Sequence, residues 1–366
     1  MAATGESSKQ RLTSLDAFRG ATMALMVLVN DPGSGDHVYG PLQHAEWHGW
    51  TPTDVVFPSF VWIVGVAITL SLGRKLAAGE GRGSIVKQAM RRAAILFALG
   101  LLVYAVPDFN LSTQRVLGVL QRIAICYAAT VPIYLATGWR GQIAWIAGLL
   151  SVYWALMAFA PVPGYGAGRL DVEGNFAHYV DRIVLGAHNY AHTKTWDPEG
   201  IVSTLPAIAT MLLGVMAGHL VGAKRSVSQR TRALLLTGVA LTAAGLIMDQ
   251  WLPINKKLWT SSFTLFMAGL DFVLFGLFLW VADGLAYKRI FQPFVILGMN
   301  AIAIYLASEA GEILLSHLGW KTWIFENVFL PLAAPINASL LYAVVYTLAN
   351  FLVAWALYRK KLFLRI

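Results

Sequence analysis

Three residue types able to share acid–base work fall together between Asn30 and Asp54. An apolar run, Ala21-Thr22-Met23-Ala24-Leu25-Met26-Val27-Leu28-Val29, ends in Asn30-Asp31-Pro32-Gly33. The polar stretch Gln43-His44-Ala45-Glu46-Trp47-His48-Gly49 follows, and Thr51-Pro52-Thr53-Asp54 opens a second apolar run from Val55 to Leu72. A histidine titrates near neutral pH and can act as a general base. A carboxylate such as Asp54 can hold the other ring N–H and stabilise the imidazolium. An amide such as Asn30 can donate to a developing oxyanion, worth on the order of 3 kcal/mol when well placed. Each residue also has a structural reading: Asn30 caps the end of a helix, Thr51-Pro52 with Asp54 starts one, and His44 anchors a polar loop at an interface.

These residues need elements to hold them, and composition says which. Apolar residues make up 57% of the chain and charged ones 13%, against about 25% charged in ordinary soluble domains. A chain of 366 residues cannot bury so much apolar side chain in its own core, so lipid must cover the rest. The sequence predicts an all-α polytopic membrane bundle of about ten spans, at roughly 17–31, 53–73, 93–107, 114–136, 142–160, 200–222, 233–251, 261–283, 291–316 and 336–357. The whole chain, 1–366, reads as one transmembrane domain. The Gly- and Pro-rich segment 161–199 is expected to cap the extracytoplasmic face. The first apolar run lacks a small-residue cleavage site and reads as a span rather than a signal peptide.

The net charge of +9 is a topology signal. Most Lys and Arg residues lie in alternate connections: Lys9, Arg11 and Arg19; Arg74 to Arg92; Arg140; Lys224 to Arg232; Lys288 and Arg289; Arg359 to Arg365. The positive-inside rule then places both termini in the cytoplasm, and His44, segment 161–199 and Asn255-Lys256-Lys257 on the far side. With no soluble basic face, nucleic acid is not an expected partner. The single Cys126 has no disulfide partner, and His178, His188 and His192 match no metal-site spacing, so no metal is expected. Charges in hydrocarbon are costly unless paired or hydrated, so Arg122, Asp271, Glu309 and Glu312 are expected to line an internal cavity. Arg122 could also be a structural partner of Asp271 or Glu309.

The chain resembles the heparan-alpha-glucosaminide N-acetyltransferase family. The resemblance rests on Arg11-Leu12-Thr13-Ser14-Leu15-Asp16-Ala17-Phe18-Arg19-Gly20, Asn30, His44 to Gly49 and Asp54-Val55-Val56-Phe57-Pro58. It continues in order through Gly118-Val119-Leu120-Gln121-Arg122, Pro161-Val162-Pro163-Gly164, Tyr179-Val180-Asp181-Arg182 and Asp197-Pro198-Glu199-Gly200. Asn255-Lys256-Lys257-Leu258-Trp259, Gly298-Met299-Asn300-Ala301 and Tyr358-Arg359-Lys360-Lys361 complete it. The chain departs from the animal pattern in having Ser308-Glu309 where that pattern has His-Glu, and in its second histidine, His48. It looks like a bacterial member reduced to the membrane core.

The resemblance implies an inner-membrane acyltransferase that moves acetyl from cytoplasmic acetyl-CoA to an amino sugar or glycan on the periplasmic side. It implies His44, Asn30 and Asp54 as the catalytic set. Arg122, near mid-membrane, with Gln121 and Asn300, is expected to contact acetyl-CoA. Asp197, Glu199, Asn255 and Trp259 are expected on the acceptor side. Direct attack assisted by His44 is favoured over an acetyl-histidine carrier, because a continuous cavity makes a carrier unnecessary. A homodimer is compatible with the chain. The alternative from another class is a secondary transporter of an amino sugar or N-acetylglucosamine, for which Glu309 and Glu312 would suit proton coupling.

Overall fold

Runs of eighteen or more apolar residues, in a chain with few internal breakers, fold here as long helices. The computed structural model describes residues 12–106 and 109–364; Lys9, Arg11 and Arg365 lie outside them. The helices are α1 Thr13–Asn30, α2 Val56–Ala77, α3 Arg82–Ala105, α4 Val119–Ala136, α5 Trp139–Phe159, α6 Phe176–Val184, α7 Thr204–Gly222, α8 Val227–Met248, α9 Ser261–Leu279, α10 Gln292–Met299, α11 Ala301–His317, α12 Trp320–Ile324 and α13 Pro335–Arg359. Among the described residues β structure is limited to two isolated bridges, Gly49 with Asn255 and Val162 with Gly166.

Seven helices are long and apolar enough to cross a membrane: α2, α4, α5, α7, α8, α9 and α13. The pair α10 and α11, bent by 79° at Asn300, makes an eighth if counted as one span. Helices α1 and α3 occupy expected positions, but Asp16 and Arg19 in α1 and Arg82 to Arg92 in α3 make them too polar to pass on composition alone. The outer faces of α8 and α13 expose Leu236, Val239, Ile247, Leu348 and Leu352, as lipid-facing surfaces require.

The bundle packs around α2, α7 and α9, where Trp62, Val66, Met211, Leu212, Phe263 and Phe272 are buried. Close approach depends on missing side chains. A Cβ on Gly65 would meet the Met211 carbonyl at 1.9 Å, and one on Gly214 would meet the Trp62 carbonyl at 2.0 Å, which is how small residues bring membrane helices together. A second cluster joins α1 to α10, α11 and α13 through Met23, Met26, Leu297, Ile304 and Ala354. The N-terminal part of α1, the C-terminal ends of α2 and α7 and the start of α8 meet at one end of the bundle. The His44 loop, the turn after α8 and segment 160–203 meet at the other.

Candidate active site

The Asp54 carboxylate organises the loop between α1 and α2. It lies in the turn Pro52–Val55 that starts α2 and accepts from the backbone N–H groups of Ala45 and Thr51, each at 3.0 Å. The Thr51 hydroxyl donates to the Gln43 carbonyl at 2.6 Å. The other Asp54 oxygen lies 2.7 Å from His44 Nδ1. A carboxylate accepts only, so this contact fixes the proton on Nδ1 and leaves the Nε2 lone pair facing outward. The Asp54 side chain is 1% exposed and that of His44 is 47% exposed. A buried orienting group behind an open base is the arrangement general-base catalysis needs.

The loop is clamped from a distant part of the chain. Gly49 N–H donates to the Ile254 carbonyl at 2.8 Å, which brings the turn after α8 alongside. Lys256 Nζ then lies 3.0 Å from His44 Nδ1 and 3.5 Å from Asp54. Lys257 donates to the Glu46 carbonyl and sits over the Trp47 ring at 5.9 Å. Burial lowers the Lys256 ammonium from its ordinary range, while the charges of Asp54 and Glu199 oppose that shift. Lys256 was not expected in the site, because no local signal joins a residue more than two hundred positions away to His44.

Segment 160–203 closes over the same loop. Trp47 Nε1 donates to the Leu170 carbonyl at 2.9 Å, and its ring meets Trp196 and His178 edge-on. His178 stacks on Trp196 with centroids 4.1 Å apart, and burial lowers it to about 3. Asp181 accepts from the N–H groups of Ile201 and Asp197, and burial pushes it up to about 6.

The remaining expected site residues divide into two groups. Asp197 and Glu199 come together as the carboxylates of Arg115, which donates to Asp197 at 2.8 and 2.6 Å and also to Glu199. The Arg115 guanidinium lies between the rings of Tyr190 and Tyr104, at 4.3 and 5.0 Å. Burial raises Asp197. Burial would also raise Glu199, but the charges of Arg115, Arg122 and Lys256 hold its carboxyl below the usual range. Asn255 and Trp259, by contrast, are 0% and 1% exposed. The Asn255 carbonyl oxygen accepts from Leu258 N–H, and Trp259 donates to Thr210. Both shape the turn that carries Lys256 and present no free face to a sugar.

The expected donor contacts are displaced as well. Arg122 is 1% exposed; it donates to Ser203 and, at 3.0 Å, to the Gly200 carbonyl, and lies over the Trp259 ring at 5.0 Å. Its contacts are Gly200, Ser203 and Trp259 rather than Asp271, whose hydrogen-bond partner is Ser59. Gln121 is wholly buried against Gly100. Asn300 holds the C-terminal tail, donating to the Leu362 carbonyl and accepting from Leu364 N–H, both at 3.1 Å. Asn30 ends α1 with an exposed side chain and makes no hydrogen bond to His44 or Asp54. Among the described residues no group of His, Cys, Asp and Glu converges as metal ligands would.

Two adjoining cavities, sharing Arg19, Ala67 and Ser71, open the opposite end of the bundle. One, of about 720 Å³, is lined by Arg19, Arg74, Arg230 and His219. The other, of about 390 Å³, is mostly apolar, with Arg92 and Arg19 among its walls and Tyr127 and Tyr305 along it. Tyr305 meets Tyr104, so the apolar cavity ends against the wall that carries Arg115. The basic mouth and apolar throat suit a ligand with an anionic head and a long neutral arm.

A polytopic helical membrane protein with a solvent-exposed His44 held by buried Asp54 at one end of the bundle and an arginine-lined cleft at the other defines the class. The chain belongs to the heparan-alpha-glucosaminide N-acetyltransferase family: the family model described as "Heparan-alpha-glucosaminide N-acetyltransferase, catalytic" matches residues 11–248. It is similar to heparan-alpha-glucosaminide N-acetyltransferase of Mus musculus, with 29% identity over 429 aligned positions that cover 99% of this chain and 62% of that protein. Against the Homo sapiens protein of the same name identity is 29% over 423 positions, covering 97% of this chain and 60% of the relative. The chain thus spans about 60% of the length of the curated relatives it matches.

Proposed function

We propose that the protein transfers acetyl from acetyl-CoA, entering from the cytoplasm, to the amino group of a glucosamine-type acceptor on the extracytoplasmic side. The observation that carries this reading is the His44–Asp54 pair, with Nδ1 fixed at 2.7 Å and Nε2 open, in a chain of this family. The amine attacks the thioester carbonyl. His44 Nε2 takes the N–H proton, the C–S bond breaks with its electron pair leaving on sulfur, and the proton then passes to the thiolate to give free CoA. The acceptor must arrive as the neutral amine, having given its first proton to solvent. Asn30, at the exposed end of α1, is assigned the donation to the developing oxyanion. Asp197 and Glu199 serve the acceptor side as a wall held by Arg115.

For the donor, the basic cavity suits the nucleotide and the apolar one the pantetheine arm. Arg122, Gln121 and Asn300 line neither cavity and serve to hold helices and the C-terminal tail in place, and both termini lie in the cytoplasm. The test is acetyl-CoA and glucosamine supplied to purified protein in lipid nanodiscs, with product measured by mass spectrometry. Wild type forms N-acetylglucosamine. His44→Ala retains acetyl-CoA binding but loses about 100- to 10,000-fold in rate. Equal rates in the two proteins would sink the reading.

A further inference from the structure

The turn after α8 places a charge on the open side of the base. Lys256 Nζ lies 3.0 Å from His44 Nδ1 and 3.3 Å from Nε2. A nitrogen nearly equidistant from the two ring nitrogens cannot lie in the ring plane, because Cε1 stands between them. The ammonium therefore sits over the imidazole face and leaves the in-plane lone pair of Nε2 free. Its place is fixed by backbone and charge together. The Gly49–Ile254 hydrogen bond sets the turn, Asn255 closes it, and Asp54 lies 3.5 Å from Nζ. Glu199 adds a second negative charge from the segment before α7.

We propose that Lys256 is a positioning residue for acetyl transfer: held over the ring by Asp54 and Glu199, its ammonium keeps His44 in the neutral, proton-accepting form. The inference rests on His44 being the base. A neutral imidazole tolerates a cation against its face. An imidazolium does not, and at such short range the like-charge repulsion is large unless solvent screens it. Lys256 is 17% exposed in its side chain, so screening is partial. Asp54 attracts both groups, and Lys257, beside Glu46, adds a weaker positive charge from the same turn. The expected consequence is that removing the Lys256 charge makes protonation of His44 easier than it is in the wild-type protein. The same repulsion hastens release of the proton once His44 has taken it from the amine.

The test reads the protonation of His44 without turnover. Diethyl pyrocarbonate carbethoxylates only the neutral ring, and mass spectrometry of the His44 peptide gives its rate from pH 5 to 8. In Lys256→Gln the midpoint of that rate moves up by about one pH unit or more, and the acid limb of kcat/KM moves with it. In Lys256→Arg, which keeps the charge, both stay with wild type. Should Lys256→Gln not fold, Lys256→Met, which keeps the aliphatic stem, supports the same comparison. Coincident midpoints for wild type and the neutral variant, in a protein that does transfer acetyl, would overturn the proposal and leave the acetyltransferase reading standing. A shifted midpoint in a protein that transfers no acetyl would leave the charge effect standing and remove the acetyltransferase reading.

Discussion

At the scale of single residues, Asp54 joins two tasks that the sequence presented as alternatives. It starts α2 by receiving the Thr51 N–H, and the same carboxylate reaches His44 Nδ1. Asp54→Asn keeps the shape and one acceptor, but its amide can present N–H where a carboxylate only accepts. The tautomer that opens Nε2 is then no longer enforced. We expect kcat/KM to fall more than a hundredfold with acetyl-CoA affinity unchanged, measured by steady-state kinetics and calorimetry; a fall of less than tenfold would remove Asp54 from the mechanism. His44 and Asp54 were legible because helix-start chemistry and an interfacial histidine lie ten residues apart. Lys256 was not, because it is brought in only by the Gly49–Ile254 pairing, and no periodicity encodes a contact between loops so far apart. Asn255 and Trp259 were picked out from the same motif, yet their side chains turn inward. The motif marks a turn that packs against the His44 loop without telling which of its residues faces His44.

At the scale of elements, apolar length predicted the helices well, while their breaks were hidden. Hydropathy runs on through 291–316, so the 79° bend at Asn300 leaves no trace in it. The bend is held by a polar side chain that binds the C-terminal tail. Segment 160–203 was legible only as irregular, since its order comes from tertiary contacts: Asp181 with two backbone N–H groups, and His178 stacked on Trp196. Those two groups give it opposed responses to acid. His178 is buried neutral and lowered to about 3, so its contribution is present above the unfolded value of ~6.5 and is lost as pH falls. Asp181 is raised to about 6, so its contribution is present below the unfolded value of ~3.9 and is lost as pH rises through about 6. Between pH 7 and 5, His178 costs about 2 kcal/mol and Asp181 returns about 1 kcal/mol, so wild type changes little. Asp181→Asn removes the offset. In that variant we expect hydrogen exchange across residues 172–201, corrected for intrinsic rate, to accelerate on the order of tenfold from pH 7 to 5. Equal acceleration in wild type would mean the two groups do not offset each other.

At the scale of the whole molecule, the proposed transfer would separate reaction and supply, with the His44–Asp54 pair at one end of the bundle and the basic cavity at the other. The hydrocarbon core is about 30 Å thick, and under the proposed transfer a CoA molecule would keep its phosphates near cations while its acetyl end reached His44. The two adjoining cavities give that route a basic mouth and an apolar throat. They also separate Arg230, expected as a cytoplasmic loop charge, from Arg122, expected as a donor contact near mid-membrane. Arg230 lines the basic cavity at the start of α8. Arg122 lines neither cavity and spends its guanidinium on Gly200, Ser203 and the Trp259 ring. A cation that pairs with phosphate through solvent contributes a salt-dependent attraction, whereas a buried guanidinium removed from its carbonyl leaves an unsatisfied acceptor costing about 1–3 kcal/mol. Arg230→Glu is therefore expected to weaken acetyl-CoA binding about tenfold at low salt, and less at high salt, with the melting temperature unchanged. Arg122→Ala is expected to do the reverse, lowering the melting temperature by several degrees while donor affinity stays near that of wild type. Calorimetry and thermal unfolding of the two variants in one lipid preparation decide between them. A melting temperature kept in Arg122→Ala together with lost donor affinity would return Arg122 to the donor path and move the nucleotide deeper into the bundle than the basic cavity.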